Sequence, residues 1–231
     1  MNSSVRPAIA EFLGTLGLVF IGAGAIVVNA WTNNALGLLG VGLAVSLAYA
    51  TMVTTTMAIS GGHINPAVTV ALWVARKIDA ARAGSYVVAQ LSGAVVAALL
   101  VRLLLPAPAV EATSLGTPKI ANDVTMLQAV AAEALLTLLL VSAVFGTIVS
   151  REAPKVGGFG VGLVQLCAVL VVGPLTGAAL NPARALGPAL VSLDFEGHIA
   201  YWAGPLLGGL VAGWLWWKVL LPAADLERPH G

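Results

Sequence analysis

The chain has 231 residues, of which 59% are hydrophobic and only 9% are charged. Because soluble domains contain about 25% charged residues, this composition excludes an ordinary soluble protein and indicates an integral membrane protein. The formal net charge of +1 gives no basis for binding nucleic acid or a strongly acidic partner. The single cysteine, Cys167, excludes an internal disulfide and falls in an apolar run, where we expect a buried thiol.

Six apolar segments are long enough to cross a bilayer as helices. A span needs about 20 residues, and lipid-exposed backbone must satisfy its own hydrogen bonds. In chain order the predicted spans are about 7–29, 35–59, 84–105, 125–149, 156–175 and 198–221. Polar stretches near 32–34, 106–123 and 150–155 predict loops between them.

Two shorter helices are predicted from a repeated Asn-Pro-Ala triplet. Asn is a preferred helix N-cap, and Pro is preferred at the first helical position. The predicted helices run from Pro66 to about Arg76 and from Pro182 to about Leu193, roughly half the length of a span. Two half-helices at matching places indicate re-entrant segments that meet at a pore centre in mid-membrane. The expected pore-centre residues are Asn65, Pro66, Ala67, Asn181, Pro182 and Ala183.

The two halves of the chain repeat each other. Glu11 in the first span has a counterpart in Glu133, as the first triplet has in the second. Each repeat has three full spans, an odd number, so the second repeat must enter the membrane from the opposite side. The predicted fold is an all-α membrane protein with six transmembrane helices, two re-entrant half-helices and an inverted repeat. It forms a single domain, 1–231, with repeats 1–115 and 116–231.

The basic residues predict the orientation of the chain. If the N-terminus is cytoplasmic, that side receives Arg6, Arg76, Lys77, Arg82, Arg151, Lys155, Lys218 and Arg228, and the other side receives Lys119 and Arg102. We therefore expect both termini in the cytoplasm and the protein in a cell membrane.

The predicted pore centre suits uncharged molecules. Each half-helix directs its positive N-terminal end to the centre, which opposes cations and protons, and the asparagine amides offer N–H donors to a solute. Non-helical backbone at membrane depth is tolerated where its carbonyls line a cavity. The expected pore-lining carbonyls are those of Gly61, Gly62, His63, Ile64, Gly177, Ala178 and Ala179.

Four titratable or charged residues near the half-helices have more than one interpretation. Glu11 and Glu133 either accept hydrogen bonds from loop N–H groups or relay protons. His63 is either a pH gate at the cytoplasmic mouth or a neutral brace for its loop. Arg184 either faces the lumen, bonded to carbonyls and repelling cations, or anchors the helix at the interface. Because the sequence contains no metal-ligand or nucleophile constellation, we expect no enzyme, catalytic residue, metal or cofactor.

The motifs Ser60–Thr69 and Asn181–Arg184, with Ala10-Glu11-Phe12 and Ala132-Glu133, resemble the aquaporin, or major intrinsic protein, family over nearly the whole chain. The resemblance implies a homotetramer in the lipid bilayer, with a separate pore for water and small neutral solutes in each protomer. It also implies that Glu11 and Glu133 brace the re-entrant loops, and that Arg184 belongs to a second, outer constriction.

Spacing from the asparagines places the rest of that constriction at Val45, Val169 and Ala178. The water-selective pattern has Phe and His at the two valine positions, so we expect a wider, more apolar filter that also passes glycerol or neutral arsenous or boric acid. The stretches 173–177 and 185–189 resemble nodulin-like intrinsic proteins and their bacterial relatives, whereas Tyr201-Trp202 resembles the water-channel branch. A strict water channel therefore stays open as an alternative.

Two other classes of protein stay open. An ion-coupled secondary transporter also has inverted repeats and broken helices, and transport against a gradient would identify it. A membrane scaffold with a closed pore would show negligible permeability after reconstitution.

Overall fold

The computed structural model describes residues 5–152, 154 and 156–226, and within them every regular element is a helix. In chain order the α-helices are α1 (Val5–Trp31), α2 (Gly37–Ser60), α3 (Pro66–Val74), α4 (Ala80–Leu104), α5 (Ala107–Ala112), α6 (Met126–Val144), α7 (Phe159–Thr176), α8 (Pro182–Ser192), α9 (Ala200–Leu215) and α10 (Ala223–Leu226). Lys155 and Arg228, counted above for orientation, lie outside the described residues.

The six predicted spans correspond to α1, α2, α4, α6, α7 and α9. The first five are long and apolar enough to cross a membrane, α6 by including a π-helical turn at Phe145–Val149. Helix α9 has only 16 residues and contains four glycines, but it continues into a second π-helical turn at Trp216–Leu220. With the half-helices α3 and α8, this confirms the predicted all-α architecture.

Both half-helices begin at the predicted proline, directly after an asparagine N-cap in extended conformation. They end at Val74 and Ser192, slightly before the predicted Arg76 and Leu193. The backbone turns into the left-handed region close to these ends, with φ of 59° at Arg76 and 60° at Leu193, and this conformation terminates a right-handed helix.

The structure differs from the sequence-based prediction in three further places. The expected loop 106–123 contains α5 and a 3₁₀ turn at Ser114–Gly116. Helix α4 begins four residues early, because Asp79 Oδ1 accepts a hydrogen bond of 2.8 Å from the Arg82 N–H and caps the helix. This backbone bond also lowers the pKa of Asp79 below its ordinary value. The expected burial of Cys167 is wrong, because its thiol lies on the exposed face of α7 with Leu163 and Leu170.

Glycines allow the long helices to approach one another closely. A Cβ at Gly204 or Gly208 of α9 would collide with the backbone of α6, and one at Gly209 or Gly213 would collide with the backbone of α3. Gly162 of α7 and Gly158 just before it pack in the same way against the backbone of α2. In lipid, where association depends on close packing, α9 therefore holds α3 against α6.

The outward faces of the long helices are apolar. Exposed leucine and valine side chains occur on all six, among them Leu13, Leu47, Val88, Leu135, Leu163 and Leu207. Such a continuous apolar surface suits lipid or neighbouring protomers and does not suit water.

The glycine packing predicts opposite effects for two Gly-to-Ala substitutions. In Gly208→Ala, the new methyl group meets the Ala134 carbonyl, so we expect a loss of about 1–3 kcal/mol from overpacking. In the matched control Gly84→Ala, nothing lies within 4 Å of the new methyl group, and helix propensity favours alanine by up to about 1 kcal/mol. Thermal unfolding in detergent measures both, and equal stability of the two variants would contradict this packing.

Candidate functional site

The tips of the two half-helices meet inside the protein and are joined by crossed hydrogen bonds. Asn65 Nδ2 donates to the Leu180 carbonyl at 2.9 Å, and Asn181 Nδ2 donates to the Ile64 carbonyl at 3.0 Å. Each asparagine therefore bonds to the loop that leads into the other half-helix. The prolines and alanines of both triplets are buried at this junction.

Each asparagine also caps its own half-helix. Asn65 Oδ1 accepts from the Ala67 N–H at 2.9 Å, and Asn181 Oδ1 accepts from the Ala183 N–H at 3.0 Å and the Arg184 N–H at 3.3 Å. Because helix N-termini carry a partial positive charge, two such ends directed at one another make this region repulsive to cations.

The loops before the half-helices follow the same backbone path. The φ angles are positive at Gly61 (93°), Gly62 (66°) and Ile64 (42°) in the first loop, and at Gly177 (81°), Ala178 (47°) and Leu180 (52°) in the second. A β-branched residue such as Ile64 rarely adopts this conformation, and non-glycine residues held there store about 1–3 kcal/mol of strain. The surrounding contacts must therefore hold these loops in place.

Glu11 of α1 supplies much of that restraint for the first loop. One carboxyl oxygen accepts from the Ser60 hydroxyl at 2.6 Å and the His63 N–H at 3.0 Å. The other accepts from the Ile64 N–H at 2.6 Å and from Gln90 at 2.7 Å. The Glu11 side chain is fully buried, and all these donors lie on or beside the loop.

Glu133 of α6 repeats this pattern for the second loop. It accepts from the Thr176 hydroxyl at 2.7 Å, the Ala179 N–H at 3.0 Å and the Leu180 N–H at 2.7 Å. A buried tyrosine completes each loop: the Tyr86 hydroxyl donates to the Ser60 carbonyl and the Tyr201 hydroxyl to the Thr176 carbonyl, both at 2.9 Å. The inverted repeat thus extends to individual hydrogen bonds.

His63 lies within the first loop and is 1% exposed. Its Nδ1 is 3.1 Å from the Thr69 hydroxyl, and its ring packs edge-on against Tyr86 with centroids 5.0 Å apart. These contacts favour the interpretation of His63 as a loop brace over that of a gate at the mouth.

A cavity of about 370 Å³ opens on the side of the half-helix junction where Lys119 lies. Its walls include Val169, Gly177 and Arg184. The Arg184 guanidinium donates to the Gly116 carbonyl at 3.0 Å, so that it is held beside this cavity. Val45, in contrast, does not line it and packs beside Gly22 of α1.

Lys119, which lines this cavity, forms an ion pair with Asp194. Lys119 Nζ lies 2.8 Å from Asp194 Oδ2, and this bond lowers the pKa of Asp194 below its ordinary value. The opposite charges of this ion pair offset each other, so the pair adds little net charge to the entrance.

Sequence reasoning assigned no role to two buried polar residues beside the junction. Tyr49 of α2 accepts a hydrogen bond of 3.0 Å from Asn65 Nδ2, and Gln165 of α7 donates one of 2.9 Å to the Ala178 carbonyl. Tyr49 stands 16 positions before Asn65, and Gln165 stands 16 positions before Asn181. This equal spacing between the repeats was the sequence signal for them.

The part of the chain that the structure describes contains no group of three or more His, Cys, Asp or Glu residues placed to hold a metal ion. The chemistry of the junction is that of amide, hydroxyl, carbonyl and guanidinium groups, all of which act by hydrogen bonding.

The fold and the junction together define a multi-pass integral membrane protein with two re-entrant half-helices that meet tip to tip. The sequence model of one family, described as "Major intrinsic protein", matches residues 1–216. The chain belongs to this family.

Similar proteins support this membership along most of the chain. A probable aquaporin TIP3-2 of Arabidopsis thaliana is 38% identical over 98% of this chain and 88% of its own length. Aquaporin-2 of Bos taurus is 40% identical over 95% of this chain and 80% of its own length. These relatives support membership of the family, and they give less support to the resemblance of 173–177 and 185–189 to nodulin-like intrinsic proteins.

A solved structure has the same fold. The aquaglyceroporin from Plasmodium falciparum superposes with a TM-score of 0.83 at 28% identity, and the match covers 96% of this chain and 99% of that one.

The loop contacts predict that Glu133 is essential for the folded state. In Glu133→Ala, two buried N–H groups and the Thr176 hydroxyl lose their acceptor, each at a cost of about 1–3 kcal/mol. We expect loss of most folded protein, measured by size-exclusion chromatography in detergent. Glu111→Ala, which removes an exposed acid, is the control, and equal recovery of both variants would contradict the bracing role.

Proposed function

We propose that this protein is a passive membrane channel that conducts water and small uncharged solutes and excludes ions and protons. The observation that carries the proposal is the junction of two half-helix N-termini, whose asparagines are fixed by caps and crossed hydrogen bonds. The channel class is also that of the aquaporin and aquaglyceroporin relatives, none of which is named as an enzyme.

In this proposal the two Asn-Pro-Ala triplets form the pore centre. The loop carbonyls of 61–64 and 177–179 line the path on either side of it. Two of the loop carbonyls at the junction, those of Ile64 and Ala178, accept bonds from Asn181 and Gln165. Because a carbonyl oxygen has two lone pairs, the loop carbonyls can also accept a hydrogen bond from a passing solute. A neutral solute replaces its hydrogen bonds to water with hydrogen bonds to these carbonyls. A cation is also repelled by the positive ends of the half-helices.

The proposed outer constriction consists of Val45, Val169, Ala178 and Arg184. The position of Arg184 and Val169 in the wall of the 370 Å³ cavity supports this assignment. Two valines make this filter apolar and leave room for polyols of the size of glycerol, or for neutral metalloid acids such as arsenous or boric acid.

A strict water channel is the second candidate, and the enclosure of the junction favours it. Asn65 and Asn181 are both buried, 0% and 1% exposed, as a narrow pore centre requires. An ion-coupled transporter is disfavoured, because Glu11 and Glu133 are fully occupied by loop donors. A closed scaffold predicts no permeability.

The arrangement of the chain in the membrane is part of the proposal. We place both termini in the cytoplasm of the cell, because Arg76 and Arg151 cluster at one end, near Trp217 and Asp225 respectively, as the positive-inside rule expects. The repeats divide near residue 115, between the helix sets α1–α4 and α6–α9. The exposed apolar faces suit a homotetramer.

Permeability of reconstituted protein tests the proposal. We expect liposomes containing the protein to swell or shrink faster than protein-free liposomes with water, glycerol and boric acid, and to show no added conductance for protons or K⁺. Fast water flux with no solute entry would identify the strict water channel. Accumulation of solute against a gradient would identify a transporter.

The variant Val45→Phe tests the placement of the outer constriction. A phenyl ring narrows the filter, so we expect glycerol flux to fall by about tenfold, within the range for a pocket altered by about one methylene or more, and water flux to fall less. Leu43→Phe, at an exposed position of the same helix, is the control. Equal loss of water and glycerol flux in Val45→Phe would argue against this placement.

A further inference from the structure

Tyr49 lies at the half-helix junction and is not part of the triplets or the outer constriction. It stands four residues after Val45 and four before Val53 on the buried face of α2. Its hydroxyl is 3.0 Å from Asn65 Nδ2. A tyrosine thus reaches the point where the two half-helices meet.

This contact reduces the number of N–H donors that Asn65 can present to a solute. An asparagine amide has two N–H donors. In Asn65 one is bonded to the Leu180 carbonyl and the other to Tyr49. Asn181 Nδ2 donates to the Ile64 carbonyl, and in the described part of the chain its second N–H has no acceptor. The two asparagines are equivalent as caps but differ as donors.

The hydroxyl of Tyr49 takes over the role of the missing donor. It accepts from Asn65, and among the described residues no acceptor stands beside its own hydrogen. Because a buried tyrosine hydroxyl needs a hydrogen-bond partner, a molecule at the pore centre is the partner available to it. That molecule then meets one O–H from Tyr49 and one N–H from Asn181.

The ring of Tyr49 also sets the width at this point. The exposed fractions of Tyr49, Asn65 and Asn181 are 1%, 0% and 1%, whereas those of Val45, Val169 and Arg184 are 7%, 5% and 5%. All six residues are thus buried, and the hydrophobic core that contains the Tyr49 ring also contains Ile64, Val169 and Leu180. The Tyr49 ring is larger than the buried Val45 and Val53 side chains one turn away on α2, so it takes up more of the space beside Asn65.

The equivalent position in the second repeat has a different effect. Gln165 bonds to the Ala178 carbonyl and removes an acceptor from the loop, while Tyr49 removes a donor from an asparagine. The polar groups of the junction are thus asymmetric, although the scaffold that holds them is symmetric.

We propose that Tyr49 is a further specificity-determining residue, whose ring limits the size of the solute at the pore centre and whose hydroxyl replaces an Asn65 N–H as donor. The inference rests on the proposed channel function. It assigns the size limit to the centre of the pore, one helical turn from the wider valine filter.

Two variants separate the ring from the hydroxyl. Tyr49→Val removes the ring, and we expect the ratio of glycerol to water permeability to rise by about tenfold or more, the lower range of discrimination by size in a pocket. Tyr49→Phe keeps the ring and frees the second N–H of Asn65, so we expect the glycerol-to-water ratio to stay at the wild-type value and water flux to change by less than about fivefold, the range of one net hydrogen bond. Leu47→Val, at a 55% exposed position of α2, is the control.

Stopped-flow light scattering of proteoliposomes gives these permeabilities per protein, after size-exclusion chromatography has shown that each variant is folded. A glycerol-to-water ratio within twofold of wild type in Tyr49→Val would overturn the inference, while water flux through the wild type would still support the channel. A wild type without flux together with a conducting Tyr49→Val would support Tyr49 as the narrowest element. No flux in either folded protein would overturn both the inference and the channel function.

Discussion

The structure depends on the hydrogen bonding of two short stretches of non-helical backbone in the middle of a membrane protein. A backbone N–H without a partner in such a place costs several kcal/mol, and the residues before each half-helix have no helical neighbour to accept from them. Glu11 and Glu133 solve this problem from adjacent long helices. One carboxyl group has two oxygens, so it accepts from consecutive N–H groups and a hydroxyl at once, which no neutral side chain does as well.

These hydrogen bonds explain how the strained loops are kept in place and why the two half-helices occupy equivalent positions in their repeats. Ile64 and Leu180 have positive φ, and each has its N–H on a carboxyl oxygen and its carbonyl on the asparagine of the other repeat. The carboxyl group of Glu11 or Glu133 therefore holds the loop in the conformation that directs the Ile64 or Leu180 carbonyl to the asparagine of the other repeat. Loop restraint and half-helix contact are therefore one connected network, and a defect in either repeat reaches the tip of the other.

Local rules in the sequence were sufficient to predict the two half-helices and the inverted repeat. Asparagine caps and proline at the first helical position act within a few residues, so the starts of α3 and α8 were predictable, as was the inversion from the odd number of spans. Features that depend on how the helices pack could not be predicted in this way. The end of each half-helix depends on the direction in which the chain leaves it. The outward position of Cys167 depends on which face of α7 is turned to the bundle, and a nearly continuous apolar sequence has no polar stripe to indicate that face.

The same limit applies to Tyr49 and Gln165. Each is an isolated polar residue in an apolar helix, and its significance appears only when both repeats are aligned on their asparagines. The sequence predicts that the asparagine amides offer N–H donors to a solute, and it does not indicate that the Tyr49 hydroxyl accepts a hydrogen bond from one of those of Asn65. The carboxyl groups of Glu11 and Glu133 and the asparagine caps hold the backbone of the loops and half-helices. The side-chain hydrogen bonds of Tyr49 and Gln165 in the described part of the chain go to the junction instead. In the proposed channel, a change at either position alters the polar groups that a solute meets and keeps the hydrogen bonds of Glu11 and Glu133 to the loops. On this proposal, selectivity can vary at the pore centre independently of the outer filter.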